Sequence, residues 1–552
     1  MISKLFSSVN LFKNGAISSR ILVKFYSTGS DGEKYEKERV ECQGQDVSSG
    51  DNKDGLVLGV YETDKKLELS PVAAEVDQKS GGKISRYLNE ISSRLKPGKA
   101  FVVTDVVPEF GPVAISALGP KDAGYNELEA LDEGRENVRV MVGAGVQALA
   151  ARGVARVAVD GGGAPDAAAE AAHLAAWRFE EFKSDKQPEI QLSLYGGGGG
   201  GGECGGEGEG GWDTGVVYGR AQNWARYLSD MPANKMTPVD FAQAALDTLC
   251  PLGVRVAAHE RAWLAAQRMR ALLAAAAGAA APPLLLHCQY APRAAAARPP
   301  VLLVAEGTTF DSGGLCLKSA EQMMREARDG LAGAAAALAA LRVLAELEVP
   351  VPVMCVVPLC ENMAGAACMK VGDVLPTLSG LHVLMEDTVA AARPALADAL
   401  VFGQALHRPA LVLGLAALAE ERGRATAPGA FACFSNSAAA WRGVRAAGAR
   451  AGDRPWRLPL WRCYARPLED DPAVDLKNKG YGVASPCYGA AFLKKFICGE
   501  WVHMDPSGVA RAPPGGYLRE RRASGRPTRT LATFLADMAR QRDANTESDA
   551  TG

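Results

Sequence analysis

Four strand-sized apolar runs, Val301–Ala305, Val351–Val357, Leu381–Met385 and Leu411–Leu415, alternate with Ala-rich helical stretches that include Ala332–Leu347 and Ala395–Leu406. Strands that are apolar throughout, with no polar alternation, are buried on both faces, and helix-length connections between them are those of parallel pairing. The rhythm predicts a mixed, largely parallel sheet flanked by helices. In such a sheet the functional groups collect in the loops at the carboxyl ends of the strands. The residues just after each run therefore carry the most information.

A chain of 552 residues exceeds one typical domain. Ahead of the large α/β domain, placed at 215–539, strand patterns such as Gly55–Tyr61 and Ala100–Val107 alternate with helical ones such as Asn137–Arg152, which predicts a small N-terminal α/β domain over 55–195. Between the two, 196–214 reads as a linker or insertion, because Gly196–Gly211 is almost all glycine and offers nothing to pack. No Lys-Ser/Thr follows that run, as a phosphate loop would need. Residues 31–54 are polar and read as a disordered lead-in, and 540–552 as a frayed tail.

Residues 1–30 have a different character. Lys4, Lys13, Arg20 and Lys24 are the only charged side chains before Asp31, interleaved with Leu5, Phe6, Leu11, Phe12, Ile21, Leu22 and Phe25. A basic, Ser-rich, acid-free amphipathic segment is expected to be a mitochondrial transit peptide, removed near Tyr26–Gly29, with a cytoplasmic protein as the alternative. A net charge of -2 gives no reason to expect nucleic acid or an anionic membrane as partner. The twelve cysteines are scattered without a CxxC pair and read as reduced thiols.

The chemistry-bearing block begins after Val301–Ala305 with Glu306-Gly307-Thr308-Thr309-Phe310-Asp311-Ser312-Gly313-Gly314 and continues to Lys318. Asp329 heads the following helix. Pro358-Leu359-Cys360-Glu361-Asn362-Met363, Lys370-Val371-Gly372-Asp373-Val374 and Arg393-Pro394-Ala395-Leu396-Ala397-Asp398-Ala399-Leu400 complete it. The six histidines form no HExxH and no close-spaced pair, and read as structural.

In the order and spacing of these segments the chain resembles the leucine (cytosol) aminopeptidase family. Pro232-Ala233-Asn234-Lys235-Met236-Thr237-Pro238, Gly452-Asp453-Arg454 and Gly525-Arg526-Pro527-Thr528-Arg529-Thr530-Leu531 extend the likeness from about Gly55 to Phe534. The resemblance implies a peptidase scaffold holding two divalent ions, zinc or manganese, that activate a bridging water and polarise the scissile carbonyl of a peptide substrate. It also implies a homohexamer.

Carried over position by position, the agreement is partial. Asp311 matches the carboxylate that bridges the ions, Asp329 a second carboxylate ligand, Lys318 the lysine that helps polarise the carbonyl, and Arg393 the arginine that positions a bicarbonate. The family's metal-binding lysine is here Glu306, its aspartate ligand is Val389 and its glutamate ligand is Ala391. Hydrocarbon groups donate no lone pair to a cation. If Glu386 and Asp387 prolong the extended run before them, Asp387 shares the side of Val389 but lies about 7 Å away along the strand. The expectation is at most one weakly bound divalent ion, on Asp311, Asp329 and Glu306. Peptidase activity is expected to be lost or strongly reduced, with a structural or binding role, as in the sperm-type branch that the depleted ligand set resembles. A working metal-dependent aminopeptidase and a regulatory subunit in mixed hexamers with active paralogues are the alternatives.

Overall fold

A computed structural model describes residues 54–551 except 64–65, 197–210, 296–297, 327, 419–428, 481–483 and 514. Residues 1–30, where a targeting segment is expected, and almost all of the lead-in and glycine run lie outside the described residues.

A six-stranded sheet occupies the N-terminal part. Asp54–Thr63 lies at its centre, paired in parallel with Phe110–Pro120 on one side and Arg156–Val159 on the other. The helix Glu133–Ala150 covers one face, started by the Asp132 carboxylate accepting from Arg135 N.

The second sheet has nine strands. Its middle runs Trp501–Asp505, Leu411–Leu415, Val301–Ala305, Val353–Asn362, all parallel. Leu284–Tyr290 and Arg255–His259 extend it in antiparallel fashion at one edge. One run departs from the sequence expectation. His382–Leu384 does not join this sheet but forms a three-stranded side sheet with Val374–Pro376 and Leu476–Lys477. The reason is its company: His382 is exposed, so the run is not the doubly buried kind. At the other end, the C-terminal helix Thr528–Thr551 continues through the segment whose composition suggests fraying.

Along Val301–Ala305 the pleat divides the core. Val301, Leu303 and Ala305 point into one buried cluster, and Leu302 and Val304 into another. The helix Leu331–Glu346 packs in the first cluster and Ala392–His407 in the second. The chain thus crosses from Val301–Ala305 to its neighbour Val353–Asn362 over one face, then returns over the other face to Leu411–Leu415 on the opposite flank. That reversal is a topological switch point, and it opens a crevice beyond the carboxyl end of Val301–Ala305. The first of these helices lies close, since a Cβ on Gly333 would stand 2.5 Å from the Leu415 carbonyl oxygen.

The N-terminal part is tied to the large sheet through buried charges. Glu170 Oε2 accepts from Arg139 Nε at 2.8 Å and from Arg529 Nη1 at 2.6 Å. Arg529 also donates to Gln222 Oε1 and to the Tyr517 hydroxyl. All three charged side chains are buried.

Candidate metal centre

The crevice is a cavity of about 240 Å³ lined by Glu306, Asp311, Lys318, Asp329, Val389 and Arg393, among others. The fold brings these six together from three places. Glu306 follows the central strand and Asp311 ends Gly307–Asp311, while Lys318 lies in the loop after it. Asp329 stands before the first residues of Leu331–Glu346, and Val389 and Arg393 lie where Ala392–His407 begins.

Asp311 pairs in register with Asn362, whose Nδ2 donates to Asp311 Oδ1 at 2.7 Å. Gly313 N donates to the same oxygen at 2.8 Å. The turn needs a glycine there: φ is 88° and a Cβ would stand 2.6 Å from the Cys316 carbonyl oxygen. The other oxygen, Oδ2, accepts from Lys318 Nζ. Thr388 then ties this loop to the helix entry, donating to Gly313 O at 2.6 Å and accepting from Cys316 N at 2.9 Å.

Asp329 Oδ1 accepts from Arg511 Nε at 3.2 Å. Glu306 is buried, with Ala417 N donating to its Oε2 at 3.1 Å. Burial pushes the Glu306 carboxyl up to about 8, and the neighbouring Asp311 adds to the effect. Its Oε1 lies so near Gly330 that a Cβ there would stand 2.6 Å away. The Arg393 guanidinium is buried and donates to the Asn478 and Leu418 carbonyls, each at 2.9 Å.

Val389–Ala391 is a short 3₁₀ turn, not a continuation of the strand before it. Asp387 is therefore no substitute ligand. Its Oδ1 accepts from Val389 N at 2.8 Å, and its Oδ2 holds Lys479 Nζ at 2.5 Å. Glu386 lies 3.7 Å from Lys477 Nζ. Ala391 is 1% exposed and packs in the apolar cluster under the second helix. Among the described residues, no three His, Cys, Asp or Glu side chains converge as a metal-holding group.

Sequence reasoning did not single out Arg511, Thr388 or the role of Asn362. Asn362 and Thr388 fall within or beside the quoted segments, so position gave a signal for both. Arg511 is 182 residues from Asp329, and only the fold brings the two together.

Carboxylates and basic side chains thus gather at the carboxyl edge of a largely parallel sheet, where α/β proteins of this class bind their ligands. The chain belongs to the cytosol aminopeptidase family: residues 223–532 match that family's catalytic domain and residues 57–186 its N-terminal domain. It is 34% identical over 518 residues to the cytosol aminopeptidase of Xenopus tropicalis, covering 92% of this chain and 97% of that protein. Against the human cytosol aminopeptidase the identity is 34% over 497 residues, covering 89% and 93%. Among solved structures, the bottromycin maturation enzyme BotP in complex with Mn matches with a TM-score of 0.74 at 26% identity, over 88% of this chain and 99% of that one.

Proposed function

We propose that this chain is a cytosol aminopeptidase family protein whose two-metal peptidase chemistry is lost or strongly reduced and whose role is structural or binding. One observation carries the reading: the carboxylates left in the crevice already hold the protein's own cations, Lys318 on Asp311 and Arg511 on Asp329. Val389 and Ala391 stand where the family resemblance puts two further carboxylates. Two divalent ions would bring four positive charges into a space about 4 Å across. Three carboxylates, two of them ion-paired, do not balance that charge. The residues present do not fit a metal pair. At most a single, weakly held zinc or manganese ion is expected, because Asp311, Asp329 and Glu306 line the crevice without converging as a metal-holding group.

The retention of Lys318 and Arg393 on the crevice wall favours a second reading, residual aminopeptidase activity with one ion. Metal analysis of the purified protein, paired with an assay on a leucyl chromogenic substrate, separates the two. Two ions per chain with fast turnover would overturn the proposal.

The proposal extends to assembly and place. The segments 454–460 and 525–531 resemble the family although they lie outside the ligand set, which supports a homohexamer of roughly 300 kDa, as closed symmetric oligomers commonly are. Light scattering tests it, and a monomer would refute the structural role. Mixed hexamers with an active paralogue would appear as co-purification of two chains. The basic, acid-free composition of residues 1–30 supports mitochondrial import. A fluorescent fusion of that segment should localise there, and diffuse cytosolic signal would count against it.

A further inference from the structure

Three of the six histidines meet at one corner of the nine-stranded sheet. His259 ends the edge strand Arg255–His259, His287 lies in the neighbouring strand Leu284–Tyr290, and His407 is the last residue of the helix Ala392–His407. In the antiparallel register Ala257 stands opposite His287 and His259 opposite Leu285. Both imidazoles therefore project from the same face of the sheet. Leu285 on that face packs in the same apolar cluster as the helix Ala392–His407.

The Nε2 atoms of His287 and His407 are 2.8 Å apart. The ring of His259 lies 6.4 Å from that of His287, centroid to centroid. Aromatic neighbours flank two of these rings. Trp263 stacks on His259 at 3.9 Å, and Phe402 stands edge-on to both Trp263 and His287. His287 is buried, whereas His259 and His407 are half-buried, so the pair is reached from solvent.

As neutral rings, one Nε2 carries the hydrogen of this contact and the other presents its lone pair. If the donor ring shifts its proton to its own Nδ1, the alternative neutral tautomer, both Nε2 lone pairs become available with no proton lost. We propose that His287 and His407 form a two-imidazole site for a borderline divalent transition-metal ion of the Cu²⁺ type, with His259 at its rim. Two nitrogens bound at about 2.0 Å and at right angles, as in a tetragonal site, are about 2.8 Å apart, so turning the rings suffices and the strands need not separate. Imidazole is a ligand that such ions prefer.

One further feature favours a cation here. His407 stands at the carboxyl end of a 16-residue helix, where the aligned peptide dipoles leave partial negative charge. Burial, which disfavours positive charge on the rings, lowers the basicity of all three, His287 to about 4 with help from His407 and His259, so their lone pairs are unprotonated at neutral pH. The site is separate from the crevice. It lies at the opposite end of the helix whose amino end carries Arg393, roughly 21 Å away along the axis.

The test is Cu²⁺ titration of the full-length protein followed by electron paramagnetic resonance. The expected result is one Cu²⁺ per chain in the micromolar range, with hyperfine structure from two nitrogens. His407→Gln should abolish that pattern and weaken binding by at least about tenfold, while Asp311→Asn in the crevice leaves it intact. Oxygen-only or single-nitrogen coordination in the unmodified protein would overturn the proposal, whatever the fate of the variants. So would a two-nitrogen spectrum that survives His407→Gln.

Discussion

Arg511 donates through Nε to Asp329 Oδ1 at 3.2 Å, and through Nη1 to Asp230 Oδ1, also at 3.2 Å. One guanidinium thus spans a buried aspartate and a crevice aspartate, occupying with its own charge a place where a metal ion would bring charge. Replacing it by an apolar residue of similar length should remove one cation that these two carboxylates share. Arg511→Met is expected to lower the melting temperature and to raise affinity for Mn²⁺ about tenfold. Calorimetric titration with and without Asp329→Ala checks that Asp329 is the gaining ligand.

Restoring the missing donors is expected to fail singly and succeed together. Ala391 is 1% exposed within an apolar cluster. A lone carboxylate there costs several kcal/mol unless it is protonated or bound to metal. Ala391→Glu alone should therefore melt earlier, with little gain in activity. The combination Glu306→Lys, Val389→Asp, Ala391→Glu should regain stability on adding Mn²⁺ and recover measurable leucyl-substrate hydrolysis, since residues that act as one unit are non-additive. A triple variant no more active than the parent would show that other positions also limit activity.

The stability that buried His503 contributes should fall in mild acid, opposed over the same range by the raised carboxyl of Glu306. His503 is fully buried, its Nε2 3.1 Å from the Ala416 carbonyl oxygen, and burial lowers its pKa from 6.5 to about 4. Below pH 6.5 the unfolded chain takes up a proton that the folded chain refuses. The contribution is thus fully present above pH 6.5 and is lost as pH falls towards 4, on the order of 3 kcal/mol in all. His173 and His287 shift in the same direction. Urea unfolding at pH 7 and pH 5 measures the drop, and His503→Gln should make it smaller.

The buried charges that join the two sheets offer a control remote from the crevice. Glu170→Ala leaves Arg139 and Arg529 without their shared carboxylate, which should cost about 3–5 kcal/mol. Thermal melts should show the loss, whereas any weak divalent-ion affinity of folded protein should be unchanged.

The central strands were legible because their apolar runs are doubly buried, and Val301–Ala305 and Leu411–Leu415 fall where the sequence puts them. His382–Leu384 carries a similar run but sits in a side sheet, a distinction that depends on tertiary pairing and not on local pattern. In the crevice, proximity of Glu306, Asp311, Lys318, Asp329 and Arg393 followed from the rule about carboxyl ends of strands. What sequence could not supply was the partner of each charge. The turn at Val389 that takes Asp387 to Lys479, the reach of Arg511 and the meeting of His287 with His407 join residues about ninety to nearly two hundred positions apart.

The reversal of winding around Val301–Ala305 has a consequence of its own. The crevice exists because two helices depart from a shared strand end towards opposite faces, and neither departure requires a ligand. Such a hollow is a by-product of how the chain is threaded, as a gap between diverging staircases is. Substitutions that strip it of chemistry do not close it. The hollow is therefore set by the threading of the chain, and its shape persists whatever side chains line its walls.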